Sequence, residues 1–208
     1  MQNVENEIID NIKGIFESLE KSVSWTILML FATYFMSIYG QKDITISNID
    51  IPKEIGGIVI FGVLCAFNYK VLHLLQNLKQ LLDILKPKTD LISMKIRLHR
   101  WSLNPFAETE GRLGILINNF GYAILLILWW FGAQLGFRLL EMSHPKVSYQ
   151  IIGLILFSLY LIFGIISMFI ISNLMSLICI NITMVRTKLI LTIIAIPIGA
   201  FGLRYFFF

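Results

Sequence analysis

Hydrophobic positions along this chain fall into three registers. Val4, Ile8, Ile12, Ile15, Phe16 and Leu19 recur at helical spacing among acidic and amide residues, which predicts a short amphipathic helix over residues 1–22. Five nearly continuous apolar runs follow: Val23 to Tyr39, Ile55 to Phe67, Leu113 to Leu140, Ile151 to Met175 and Leu189 to Phe208. Each is long enough to cross or deeply enter a bilayer. Trp25 and Tyr39 sit where interfacial anchors belong on the first run. The second gives way at Asn68, Lys70 and His73, with Lys70 placed to snorkel outward. The third is long enough to tilt. The last contains Pro197 and Arg204, so it either crosses fully or enters and turns back.

The third register is alternation. In the fifteen-residue stretch Gly40 to Glu54, Ile44-Thr-Ile46 and Ile49-Asp-Ile51 flank Ser-Asn and are closed by Pro52, which predicts a small hairpin or extended cap. Residues 70–112 begin differently. Val71, Leu78 and Leu85 are seven apart, with Leu74 and Leu81 between them, which makes two heptads of an a/d seam broadened by Leu75 and Leu82. The second span is therefore expected to continue as a rod with an apolar stripe. Either the chain's own N-terminal helix or the same rod of a second copy can cover that stripe. Lys86-Pro87-Lys88 ends it, because proline removes a donor and pushes its predecessor out of helical geometry. Ile92, Met94, Ile96 and Leu98 then alternate with Ser93, Lys95, Arg97 and His99, predicting a half-buried strand with a basic outer face that Arg100 extends. Trp101 to Phe106, with Asn104-Pro105 as the turn signal, is expected at headgroup level before Glu108, Glu110 and Arg112 lead back into the membrane.

Composition fixes the class. The chain is 57% apolar and 14% charged, with a mean hydropathy of +0.77. A soluble domain of this size has about 25% charged residues, so the expected fold is an all-α polytopic integral membrane protein with four to five transmembrane helices, a cytoplasmic helical extension and a short extended segment. The expected parts are the N-terminal helix 1–22, spans one and two over 23–69 with the outer loop 40–54, the basic segment 70–112, and the C-terminal spans 113–208. The acidic first twenty-two residues do not read as a secretory signal, nor as a helix that binds an anionic surface. With the N-terminus inside, twelve of the seventeen Lys and Arg fall on the cytoplasmic side and five on the other, the bias that orients inner-membrane proteins. Five crossings put the C-terminus outside; four return it. Cys65 and Cys179 lie in apolar runs and form neither a disulfide framework nor a metal spacing.

Candidate chemistry is sparse. Asn118, Asn119, Gln134, Asn173 and Asn181 lie within or at the ends of spans and are expected to face other helices; Gly132 and Gly136 form a Gly-x-x-x-Gly pair beside Trp129 and Trp130 that permits close helix approach. No span carries a central charge, which argues against a proton-coupled transporter or voltage sensor. No zinc-protease, phosphate-loop or nucleophile-elbow pattern is present, and no cofactor or metal is expected. Arg138 and His144 fit the loose Arg-x(4–6)-His spacing of HEPN ribonucleases, on the side away from RNA. The residues expected to bind a partner or anionic lipid are Lys86, Lys88, Lys95, Arg97, His99 and Arg100. Their blander role is a solvated basic face that satisfies the inside bias. Those expected to mediate self-association are Val71, Leu74, Leu78, Leu81, Leu85, Gly132 and Gly136. Direct nucleic-acid binding is not expected, since only Trp101 and Phe106 lie near for stacking.

In size and plan the chain resembles the membrane subunits of multi-component bacterial anti-phage systems, in particular the membrane component of the Kiwa system. The resemblance covers the layout of the whole chain and carries no diagnostic motif. It implies a homo-oligomer of the inner membrane that docks a cytosolic effector and reports membrane disturbance. The residues alone favour a non-enzymatic membrane subunit that recruits a soluble partner through residues 70–112. A pore built from several copies, resting on the amides and glycines of spans three and four, is the alternative.

Overall fold

A computed structural model describes residues 2–39, 43–46, 49–84, 89–98, 103–107, 111–142, 147–179 and 182–197. The elements are α1 (Gln2–Tyr39), β1 (Asp43–Ile46), β2 (Ile49–Pro52), α2 (Lys53–Ile84), α3 (Thr89–Arg97), α4 (Gly111–Met142), α5 (Val147–Ile178) and α6 (Ile182–Pro197). Among the described residues the regular structure is helical apart from one hairpin. The amphipathic N-terminal segment and the first apolar run form one helix of 38 residues, about 57 Å long, against a hydrocarbon core of about 30 Å. Nothing in the sequence between Leu19 and Val23 breaks a helix, so the two registers join.

The hairpin forms where alternation predicts it. β1 and β2 pair antiparallel, with Ile44 opposite Ile51 and Ile46 opposite Ile49. α2 then runs unbroken past Lys70 to Ile84. It is the central helix, packing most extensively on α5 and also on α1 and α4, while α4 carries α6 on its other side. Among the described residues two helical stretches, Ile58–Ile84 and Ile151–Ile178, are long and apolar enough to cross a membrane, and Gly121–Gly136 is a shorter apolar one. Only 22% of the most apolar window of α5 is buried within the chain.

Two clusters make the interior. At one end, Ile12, Phe16 and Leu19 of α1 meet Leu72, Leu75, Leu78 and Leu82 of α2, with Ile96, Phe106, Leu174 and Ile178 closing the far side. Of the two possible partners for the heptad stripe, the chain's own N-terminal helix occupies it. At the other end, Leu30, Phe61, Leu64, Ala133, Leu135 and Tyr160 interlock.

The segment 92–98 corrects the sequence reading: it is helix, not strand. A lone strand leaves a row of unpaired backbone groups, and the described residues hold no neighbouring strand to take them; a helix satisfies its own. Leu98 N donates to Met94 O at 3.0 Å, the spacing of a helical turn. Helical periodicity turns Ser93 and Ile96 inward, leaving Met94 49% and Leu98 62% exposed. The last apolar run is helical to Pro197; its remainder lies outside the described residues.

Candidate functional site

Of the basic residues expected to bind a partner, the two described ones, Lys95 and Arg97, lie on α3, which the turn 103–107 follows in the chain. That turn is built by Asn104 and Pro105. Proline presets the backbone for the second turn position, and Ala107 N donates to Asn104 O at 3.2 Å. The Asn104 side chain, itself buried, works in both directions. Its Oδ1 accepts from Phe106 N at 3.0 Å, and its Nδ2 donates to Ile96 O of α3 at 2.7 Å. One amide thus ties the turn to the helix before it.

Three further contacts hold the turn in place. Phe106 is fully buried within the chain and meets Phe16 of α1 edge-on at 6.1 Å between ring centroids. Lys188 of α6, only 1% exposed, donates from Nζ to Pro105 O at 2.6 Å. The Cys179 thiol lies 3.8 Å from Phe106 O. Thr192, one turn beyond Lys188, meets the Tyr122 hydroxyl of α4 at 2.9 Å. A buried ammonium is costly unless its donors are met, so this lysine is a pin rather than a solvated charge.

Arg97 also has a structural partner. Its Nη1 donates to Ile178 O at 3.4 Å, placing a cation on the C-terminal carbonyls of α5, where the helix dipole favours positive charge. Lys95 is exposed and, with Ile96, borders a groove of about 260 Å³ shared with Asp10, Lys13 and Phe16 of α1. Lys86, Lys88, His99 and Arg100 lie outside the described residues, as does Leu85. Among the basic residues expected here, the structure therefore brings Lys95 to the surface and turns Arg97 inward.

The self-association residues are used within one chain. Leu78 is fully buried, and Val71, Leu74 and Leu81 pack against its cluster. Gly132 gives room to the Tyr160 hydroxyl and Gly136 to the Phe61 ring, both at distances a Cβ would obstruct. The close approach foreseen from Gly-x-x-x-Gly is real, with α2 and α5 as the partners. Leu78, Gly132 and Gly136 are thereby withdrawn from any surface a second copy can reach.

Sequence reasoning missed Asn104, Phe106 and Lys188 as organising residues. The Asn-Pro pair marked a turn but not its burial, and Lys188 looked like one more cytoplasmic base. His144 lies outside the described residues, so the Arg138 and His144 spacing has no geometry to weigh. Among the described residues no group of three or more His, Cys, Asp or Glu side chains comes together. Comparison with family models, with curated proteins and with solved structures finds no match.

Proposed function

We propose that this chain is a polytopic inner-membrane protein of four to five crossings, with its N-terminus cytoplasmic, acting as a non-enzymatic oligomeric subunit that recruits a soluble partner at the α3 platform. One observation carries the membrane reading. Ile151, Leu154, Ile155, Ile162, Ile165 and Phe169 are all exposed and lie along one side of α5. An apolar stripe three turns and more in length, facing away from its own chain, is at home in lipid and unstable in water. The recruiting reading is supported by a platform tied down by the bonds of Arg97 to Ile178 O, Asn104 to Ile96 O and Lys188 to Pro105 O, while Met94 and Lys95 of α3 and the adjoining Leu98 are exposed. The layout's resemblance to anti-phage membrane subunits adds a setting, defence signalling, in which such a subunit belongs.

The test is pull-down from native membranes of wild-type protein and Lys95→Glu, with Arg97→Gln as a second variant. Recruitment through the exposed face predicts that Lys95→Glu releases a stoichiometric soluble protein while membrane insertion is unchanged. Equal recovery from both proteins sinks the platform reading. Resistance to alkaline carbonate extraction tests the membrane reading separately.

A pore formed by several copies is the second reading. It is supported by Asn119 of α4, whose Oδ1 is buried without a hydrogen-bond partner, a cost that a water admitted to the bundle would remove. Ion conductance in planar bilayers tests it, and silent bilayers count against it.

A further inference from the structure

Between α1, α2, α4, α5 and the turn 103–107 lies a partly open cavity of about 130 Å³. Its wall is overwhelmingly apolar, with Val23, Leu75, Phe106, Leu126 and Ile171 among the lining residues. The lining positions on α5 run from Tyr160 to Ile171, about 16 Å of helix. The space is therefore long and narrow. A cavity of about this size in a soluble protein stays dry and takes up a small hydrocarbon.

Among the polar residues on this wall, which also include Thr26, Asn68 and Tyr122, two stand apart. Trp129 Nε1 and Ser167 Oγ are both buried with no hydrogen-bond partner, and both residues line the cavity. Ser167 is only 5% exposed. Helical hydroxyls elsewhere in this chain bond back one turn: Ser22 to Ser18 O, Thr26 to Ser22 O and Ser158 to Leu154 O. Ser167 does not, which leaves its hydroxyl free to serve another acceptor. The indole of Trp129 lies against Gly164, where a Cβ would overlap it. Gly164 and Ser167 are three residues apart on one helix face, so the two donors stand within about a turn of each other.

The indole is also fixed in advance. It stacks on Tyr160 with the rings 6.3 Å apart and 8° from parallel. The Tyr160 hydroxyl donates to Trp129 O at 3.1 Å, and Asn68 Nδ2 donates to Tyr160 O at 3.0 Å. A pair of oriented buried donors without an acceptor is a feature that native proteins explain with a ligand or a water.

We propose that this cavity binds a slender lipophilic molecule bearing a carbonyl oxygen, which accepts from Trp129 Nε1–H and Ser167 Oγ–H while its hydrocarbon part fills the apolar channel. Water alone meets the donors but not 16 Å of apolar wall. A plain alkane meets the wall and leaves the donors empty. Two constituents of a bilayer combine both features: the carbonyl of an acyl lipid or fatty acid, and the ring carbonyl of an isoprenoid quinone. The proposal uses the membrane reading only for the supply of ligand, and carbonate extraction decides that reading independently.

The test uses the full chain with ¹⁵N-labelled tryptophan in dodecyl maltoside, a detergent without carbonyls, and 2-decanone and n-decane as probes. Trp129→Phe identifies the Trp129 indole signal. The ketone is expected to move it in a saturable way, while Trp130, whose nitrogen is buried away from the cavity, stays put. Decane should compete without that shift. Ser167→Ala should weaken the ketone at least threefold and leave decane unchanged. Mass spectrometry of the organic extract separates the sources, with one quinone or one acyl lipid per chain. A Trp129 signal that follows the ketone no more than Trp130 does, or that keeps a cross peak to bound water throughout the titration, overturns the proposal.

Discussion

Asn104→Ala is the sharpest probe of the platform. The variant keeps the backbone bond from Ala107 N to Asn104 O and removes both side-chain bonds, orphaning Ile96 O and Phe106 N in a buried setting. Each buried group left without a partner costs about 1–3 kcal/mol. Because the two lie side by side, some relaxation is shared, and we expect about 2–4 kcal/mol in all. That loss falls on local opening of α3 and the turn, since the helices of the bundle are untouched. Converted at 1.4 kcal/mol per tenfold, it raises the open population by roughly 30- to 700-fold. Trypsin reads this directly. Lys95, Arg97, Arg100 and Arg112 flank the turn, and cleavage of a folded segment follows its open population when closing outpaces cutting. Inverted membrane vesicles present this side to the protease under the proposed topology. Asn104→Asp, which keeps the acceptor but lacks the Nδ2 donor and buries a carboxylate, should be cut at least as fast. A cutting rate in Asn104→Ala within threefold of wild type would refute the claim that this amide holds the platform.

Other consequences are quickly stated. Gly136→Ala should cost about 1–3 kcal/mol by overpacking against Phe61, whereas Gly62→Ala, whose Cβ meets only Leu156 Cδ1 at 3.9 Å, should be neutral or stabilising; midpoints of unfolding in mixed detergent–SDS micelles compare them. Arg97→Gln should lower stability by about 0.5–2 kcal/mol through loss of the cation at the α5 C-terminus, and added salt should shrink the difference if that contact is electrostatic. Cys65 is buried and Cys179 half-buried, so a membrane-impermeant maleimide should label Cys179 faster, and from the cytoplasmic face only.

How far the sequence reveals the fold differs by element. The hairpin was legible because two short alternating pieces joined by a two-residue connection can take up each other's backbone groups, as Ile44 and Ile51 show by pairing. The long helices were legible because helical periodicity carries on where their apolar runs give way, as it does in α2 past Asn68 and Lys70. Segment 92–98 misled because Ile92, Met94, Ile96 and Leu98 satisfy a period of two, while the inward pair Ser93 and Ile96 satisfies the helical spacing equally well over so short a span. Pattern cannot arbitrate there; the presence or absence of a pairing strand does. Leu78, Gly132 and Gly136 carried correct packing signals, but a periodic stripe or a small-residue pair says only that something packs there. Whether the partner is the same chain or another is a three-dimensional matter. Asn104 and Lys188 were invisible for a related reason: their bonds to Ile96 O and Pro105 O span 8 and 83 residues.

The two ends of α2 should obey different energetics, and one substitution at each end exposes the medium around them. Leu64 and Leu78 are both fully buried, each in its own cluster. Under the proposed topology Leu64 lies at membrane depth and Leu78 beyond the exit at Lys70. In water, Leu→Ala loses the transfer free energy of the side chain, roughly 2 kcal/mol for the carbons removed, plus a cavity term, and totals about 3–5 kcal/mol. In lipid the unfolded reference is as apolar as the core, so the transfer part vanishes and only packing is lost. Leu78→Ala should therefore cost about 2 kcal/mol more than Leu64→Ala in the same micelle titration. Cavity size varies between sites, so Leu→Asn at each position adds a second contrast of the same sign: water solvates the amide of the unfolded chain at Leu78, lipid does not at Leu64, and burying it therefore costs more at Leu78. Equal costs for the two alanine variants would mean that both ends of α2 sit in one medium, and the membrane exit would then have to be moved away from Lys70.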